Sequence, residues 1–107
     1  MFGINSEAKA VEMFPGVVRR TLNSGERTTL VELTFASGSV VPMHTHVHEQ
    51  IGYLVRGRML FELGEETREL NAGDSWLVPS NVPHRVTALE DTIAIDIFSP
   101  VRTEFLD

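Results

Sequence analysis

Residues 42 to 50 read Pro42-Met43-His44-Thr45-His46-Val47-His48-Glu49-Gln50, and this stretch holds three of the four histidines in the chain. The fourth, His84, follows Pro83. On a strand, His44 and His46 point to the same side because side chains alternate. Two imidazoles on one side can reach one ion at the ~2.0–2.1 Å typical of a metal–nitrogen bond. The alternatives are surface histidines on an edge strand, or core histidines bonded to neighbouring carbonyls.

Glycines stand on either side of this stretch at characteristic distances. Five residues separate Gly38 from His44, three separate His46 from Gln50, and six separate Gln50 from Gly57. This spacing resembles the first sequence motif of the cupins, with Gln50 in the position of the motif's glutamate. The resemblance implies a small β-barrel that binds a metal ion.

A second cupin-like motif follows closer to the C-terminus. It runs through Gly73, Pro79, Asn81 and His84, with Asn81 in a glycine position and Ala88 in a terminal asparagine position. Asn is the residue after Gly that best tolerates a left-handed turn, so the first departure is acceptable. The two motifs occur in the expected order and together cover residues 38 to 88.

The hydrophobic pattern of the whole chain agrees with an all-β fold. Short runs rich in Val, Leu, Thr and Phe alternate with turn residues, and no run has convincing helical periodicity. A length of 107 residues with 42% hydrophobic content is enough for one core. We therefore predict a single cupin jelly-roll barrel at residues 15–107, after an N-terminal arm at residues 1–14. The predicted strands are 17–22, 29–36, 51–63, 67–70, 75–78, 84–89 and 92–98.

Charge and composition exclude several classes of partner and ligand. The net charge is −6 with only 9 Lys and Arg, so no basic stripe is available for nucleic acid. The chain has no cysteine, which removes thiolate metal sites. No stretch approaches the ~20 apolar residues of a membrane span, and Glu7 and Glu12 interrupt the N-terminal segment. We expect a cytoplasmic protein without nucleic-acid or membrane partners.

The cupin resemblance implies one divalent metal ion held by four side chains, namely His44, His46, Gln50 and His84. Three neutral imidazoles and one neutral amide leave the ion close to its full positive charge, which suits a Lewis acid. Such ligands accept Zn, Ni, Fe, Mn or Co, so the metal stays open. Glu49 is expected on the opposite face of the strand and is a backup ligand. We interpret His48 as a residue at the rim or behind the ligands.

An aspartate lies inside an apolar strand near the C-terminus. Asp96 and Phe98 share one face of predicted strand 92–98, and the other face carries Ile93, Ile95 and Ile97. A buried carboxylate needs a partner or a function, so Asp96 is either a catalytic acid/base or half of an ion pair. If Asp96 lines the barrel, the N-terminal arm or a second subunit must cover the isoleucines. We predict a homodimer.

The C-terminal sequence Asp-x-Phe-Ser-Pro-x-Arg begins at Asp96. Together with His-x-His-x-His-Glu-Gln and Gly-Asp-x-Trp-x-Val-Pro, it resembles the pectin-degradation cupins that linearise unsaturated uronates. That resemblance implies functional roles for Asp96, Phe98 and Arg102, and a sugar-acid substrate: a 4,5-unsaturated monouronate from pectin or alginate, converted to an open-chain keto acid.

In this interpretation Asp96 is the acid/base, Arg102 binds the substrate carboxylate, and Phe98 packs on the sugar or only fills the core. Burial raises and a nearby cation lowers the pKa of Asp96, so its resting protonation state stays open. The rival functions are an Fe(II) dioxygenase and a non-catalytic sugar-binding or sensor cupin.

Overall fold

The computed structural model describes all 107 residues as ten strands in two antiparallel sheets. The six-stranded sheet has the order β1-β2-β3-β10-β5-β8, and the four-stranded sheet has the order β4-β9-β6-β7. The strands are β1 (Ala10–Phe14), β2 (Val17–Ser24), β3 (Thr29–Phe35), β4 (Val40–His44), β5 (Glu49–Arg56), β6 (Arg58–Leu63), β7 (Glu66–Asn71), β8 (Ser75–Val78), β9 (His84–Ala88) and β10 (Thr92–Ser99). The prediction of an all-β jelly-roll barrel is confirmed.

The core lies between the inner faces of the two sheets. Its largest cluster combines residues of the six-stranded sheet, such as Leu54 and Trp76, with residues of the four-stranded sheet, such as Met59 and Phe61. The inner face of β10 carries Asp96, which is buried in this mostly apolar interior. Alternation along each strand therefore places a carboxyl group inside the barrel.

The predicted strand at 51–63 is wrong, because Gly57 divides it into β5 and β6, which belong to different sheets. Gly57 has a φ of 98°, and a Cβ there would lie 2.4 Å from Oγ1 of Thr92. Only glycine accepts both the backbone conformation and the close approach, so the chain changes sheets at this residue.

Two strands have no counterpart in the sequence prediction. Residues Ala10–Phe14 of the predicted arm form β1, which pairs with β2, and Val40–His44 form β4, which pairs with β9. Both are edge strands with irregular exposure, so neither shows the alternation by which a strand is recognised.

Short turns complete the structure. Residues Asn5–Glu7 and Thr103–Phe105 form single 3-10 turns, and no helix has the length and apolarity needed to cross a bilayer. Asn81 has a φ of 65° and is the non-glycine residue in the left-handed region, in agreement with its glycine position in the motif. Its backbone N–H donates to the carbonyl of His46 at 2.8 Å, which ties together the loops that carry the two motifs.

Candidate metal centre

Two paired strand ends and one loop bring three histidines together. His44 ends β4 and is paired in register with His84 at the start of β9, and their ring centroids are 4.1 Å apart. His46 lies in the loop after β4, so the turn, and not strand alternation, directs its ring to the same place. One ligand atom from each ring lies within 4.8 Å of the others.

Backbone carbonyls fix the orientation of all three imidazoles. The Nδ1 atoms of His44, His46 and His84 lie 2.8, 3.0 and 2.9 Å from the carbonyl oxygens of Pro42, His48 and Val82. A carbonyl oxygen only accepts, so each Nδ1 carries the proton and each Nε2 of a neutral ring keeps a lone pair. The Nε2 of His84 is buried without a hydrogen-bond partner.

Gln50 adds a fourth acceptor to this group. Its amide nitrogen donates to Oδ1 of Asp96 at 2.8 Å, which turns Oε1 toward Nε2 of His46 at 3.0 Å. A carbonyl oxygen and an unprotonated nitrogen are both acceptors, and a cation between them removes the conflict. His44, His46, Gln50 and His84 therefore fit a divalent metal ion with three nitrogen ligands and one oxygen ligand.

The electrostatic environment keeps two of the rings neutral. Burial lowers the pKa of His84 to about 4, against the opposing effect of its bond to Val82. Burial, followed by the positive charge of Arg102, also lowers the pKa of His46. Both rings are thus neutral at neutral pH, with the proton on Nδ1 and a lone pair on Nε2, which is the state that binds metal.

Asp96 lies directly behind Gln50 and is 2% exposed. Its Oδ1 atom accepts two hydrogen bonds of 2.8 Å, one from Gln50 and one from the indole nitrogen of Trp76. Burial raises the pKa of Asp96 to about 6, although these bonds and the charge of Arg102 act in the opposite direction. No salt bridge is formed by Asp96, so the ion-pair interpretation of this carboxyl is not the arrangement observed.

The C-terminal segment closes one side of the site. Arg102 lies with its guanidinium carbon 4.7 Å from the Phe98 ring centre and 4.0 Å from that of Phe105. Its Nε donates to Glu104 at 2.7 Å. One cavity is lined by six of the residues that were predicted as metal ligands or as functional residues, namely His44, Gln50, His84, Asp96, Phe98 and Arg102.

Two neighbours of the predicted ligands lie elsewhere. Glu49 is exposed on the outer face of β5, while Gln50 points inward. His48 is buried beside Phe98, with 6.3 Å between ring centres, and stays outside the cluster of three histidines. His48 supports the site through its carbonyl oxygen, which orients His46.

Sequence reasoning did not assign a role to Trp76 or Phe105. Trp76 is the single tryptophan of the chain and stands in the quoted Gly-Asp-x-Trp-x-Val-Pro stretch, which was its only sign in the sequence. Phe105 is buried and covers Arg102, and it is held by its carbonyl, which accepts a 2.7 Å bond from buried Arg19. Trp76 bonds to Asp96 and Phe105 to Arg19, and both partners are distant in sequence, so these contacts have no local sequence signature.

Comparison with known proteins agrees with this fold. A family model described as a cupin domain matches residues 31–98. The pectin degradation protein KdgF of Dickeya dadantii is 32% identical over 105 residues, which cover 96% of each chain. The solved structure of KdgF from a Halomonas species superposes with a TM-score of 0.93 and 37% identity over 99% of this chain and all of that one. An RmlC-like cupin from Shewanella frigidimarina gives a TM-score of 0.93 and 30% identity, covering 98% of this chain and 95% of that one.

The chain belongs to the cupin family. Within it, the full-length match places the chain with the pectin degradation protein KdgF. The resemblance inferred from the motifs is thereby confirmed.

Proposed function

We propose that this protein is an isomerase that linearises 4,5-unsaturated monouronates to open-chain keto acids during pectin or alginate breakdown. The observation that carries the proposal is a buried carboxyl, Asp96, whose Oδ2 atom accepts no hydrogen bond from the protein. This residue lines the same cavity as three of the four metal-ligand candidates, His44, Gln50 and His84. The relatives described as KdgF, one of them a pectin degradation protein, supply the substrate class.

The reaction needs one group that takes up and returns a proton. Asp96 takes the proton of the anomeric hydroxyl while the C1–O5 bond breaks, so that C1 becomes an aldehyde carbonyl, and it returns the proton to O5, which becomes an enol hydroxyl. The freed enol then becomes a ketone when its hydroxyl proton is lost and a proton is placed on C4. Atoms and electrons balance without an oxidant, and Asp96 is the residue positioned to exchange both kinds of proton.

The ligands for the metal would be His44, His46, Gln50 and His84. A bound divalent ion, whether Zn, Ni, Fe, Mn or Co, supplies Lewis acidity toward substrate oxygens. Gln50 contributes twice, because the amide that presents Oε1 to this centre also donates to Asp96. It thereby sets the distance between the metal centre and the acid/base.

Two residues of the C-terminal segment bind the substrate in this proposal. Arg102 forms parallel hydrogen bonds with the uronate carboxylate, for which a planar guanidinium is well suited. Phe98 packs on the sugar and excludes water, and its ring also packs against the guanidinium of Arg102. Phe98 is buried and lines the cavity, so both the wall and the core interpretation fit its position.

The test of the proposal is the variant Asp96→Asn. The amide keeps an oxygen for the bonds from Gln50 and Trp76 but cannot exchange the proton. We expect retained fold and metal content with a loss of turnover of at least roughly 100-fold, measured as the decay of ultraviolet absorbance of the unsaturated sugar. Near-normal turnover would refute the assignment, and a wild-type protein without this activity would refute the function.

We also propose a homodimer that buries the outer face of β10, β5 and β8. The N-terminal strand β1 pairs at the opposite edge of the sheet, so it leaves this face open. The face carries exposed apolar side chains, namely Ile51, Tyr53, Leu77 and Ile97. We expect Leu77→Glu to give a monomeric mass by light scattering and Val40→Glu, on the other sheet, to leave a dimer. A monomeric wild-type protein would contradict this.

We place the protein in the cytoplasm, as its sequence leads us to expect. The test is fractionation of the native host, and recovery of the protein outside the cytoplasmic fraction would contradict it.

A further inference from the structure

Trp76 reaches Asp96 across an intervening strand. Trp76 lies on β8 and Asp96 lies on β10, and β5 runs between them. In the register of the sheet, Gly52 of β5 is opposite both residues. Adjacent strands are about 4.8 Å apart, so the indole must pass over the backbone of residue 52 to reach the carboxyl.

Gly52 leaves the space for this contact. A Cβ at residue 52 would lie 2.2 Å from Nε1 of Trp76 and 2.4 Å from Oδ1 of Asp96. The φ angle of Gly52 is not in the left-handed region, so the backbone conformation does not call for glycine. The close approach of the indole and the carboxylate accounts for glycine at this position.

The two carboxyl oxygens of Asp96 differ in their hydrogen bonding. The indole of Trp76 and the amide of Gln50 both donate to Oδ1, which leaves Oδ2 without a hydrogen bond. The indole is itself held in place, because its ring packs on that of Phe61 with 5.3 Å between centroids. Donors from two directions prevent the carboxyl group from rotating and exchanging its oxygens.

We propose that Trp76 is a positioning residue, which holds Oδ1 of Asp96 across Gly52 so that Oδ2 faces the substrate. The inference rests on the proposed function of Asp96. Trp76 and Gly52 thereby contribute to the reaction, although neither is a metal-ligand candidate and Trp76 itself transfers no proton.

The kinetic test is Trp76→Phe, which keeps an aromatic ring against Phe61 and removes the N–H donor. A hydrogen bond to a charged group corresponds to a fall in kcat of roughly 10- to 100-fold, and KM stays within about 2-fold because substrate contacts are kept. Leu54→Val, two residues from Gly52 on the same buried face of β5, is the control and keeps kcat. An unchanged kcat in Trp76→Phe would overturn the inference.

A second measurement is independent of activity. The chain has one tryptophan, so the Zn-loaded protein gives one indole N–H resonance. We expect this resonance to move, and its exchange with solvent to speed up, in Asp96→Ala and in Gly52→Ala but not in Leu54→Val. If neither the position nor the solvent exchange of this resonance changes in Asp96→Ala, the positioning inference alone is overturned. A wild-type protein that is inactive on the uronate would instead overturn the proposed function.

Discussion

Replacing Asp96 by asparagine is expected to stabilise the metal-free protein at neutral pH. The carboxyl is fully buried, and burial raises its pKa from 3.8 to about 6. Between these values the folded state binds more protons than the unfolded state, so the free energy of unfolding falls as pH rises through this window. Asparagine does not ionise and avoids this loss.

The size of the effect follows from the two pKa values. Each pKa unit corresponds to about 1.4 kcal/mol, so the ionised carboxylate costs about 3 kcal/mol at pH 8 and about half of that at pH 5. The stability advantage of Asp96→Asn therefore doubles between these two pH values.

The assay is urea unfolding in the presence of a chelator, followed by circular dichroism at pH 5, 6.5 and 8. The matched control is Glu26→Gln, which neutralises an exposed carboxyl at a turn and is expected to change stability little. A difference between wild type and Asp96→Asn that does not grow with pH would refute the view that a buried ionisable carboxyl is held at a cost in stability.

Three further substitutions test the site and the fold. His84→Ala removes a buried ligand candidate, so elemental analysis should find the bound metal lost. Arg102→Lys replaces a planar guanidinium, which can donate two parallel hydrogen bonds, by an ammonium group. KM for the uronate should therefore rise by roughly 10-fold with a smaller change in kcat. Gly57→Ala puts a Cβ against Thr92 in a left-handed backbone. Thermal unfolding should therefore show that the free energy of unfolding falls by more than the roughly 1–2 kcal/mol that a left-handed conformation costs by itself.

Each of these has a control of the same type. His48→Ala lies outside the histidine cluster and should keep the metal. Arg85→Lys affects a surface pair with Glu62 and should keep KM. Gly73→Ala has a φ of 97° but open space at its Cβ, so it should cost less than Gly57→Ala. Equal effects within any of the three pairs would contradict the corresponding structural reason.

Motif spacing was sufficient to locate the metal-ligand candidates. The histidines and Gln50 lie in two short segments whose turns are shaped by local residues, such as Asn81 in its left-handed conformation. Alternation along β10 likewise put Asp96 and Phe98 on one face and Ile93, Ile95 and Ile97 on the other, and the structure shows that the face of Asp96 is the inner one. These features are local, so they can be predicted from neighbouring residues.

Edge strands and corners were harder to predict. Strand β4 contains Pro42 and an irregular register before His44, and β1 has no regular alternation, so both lack the usual pattern. The division of 51–63 at Gly57 depends on the close approach of Thr92, which is distant in sequence. Packing between segments decides such boundaries.

Sequence alone establishes which chemical groups are available: three imidazoles and an amide in two short motifs, and a carboxyl on one face of a predicted strand. Only the tertiary structure decides how these groups are oriented. Carbonyls of Pro42, His48 and Val82 determine which nitrogen of each imidazole keeps its lone pair. The strand order β8-β5-β10 brings an indole to one oxygen of the carboxyl and leaves the other free. The physical reason is that a hydrogen bond depends on the position of both partners, and chain folding sets the position of the distant one.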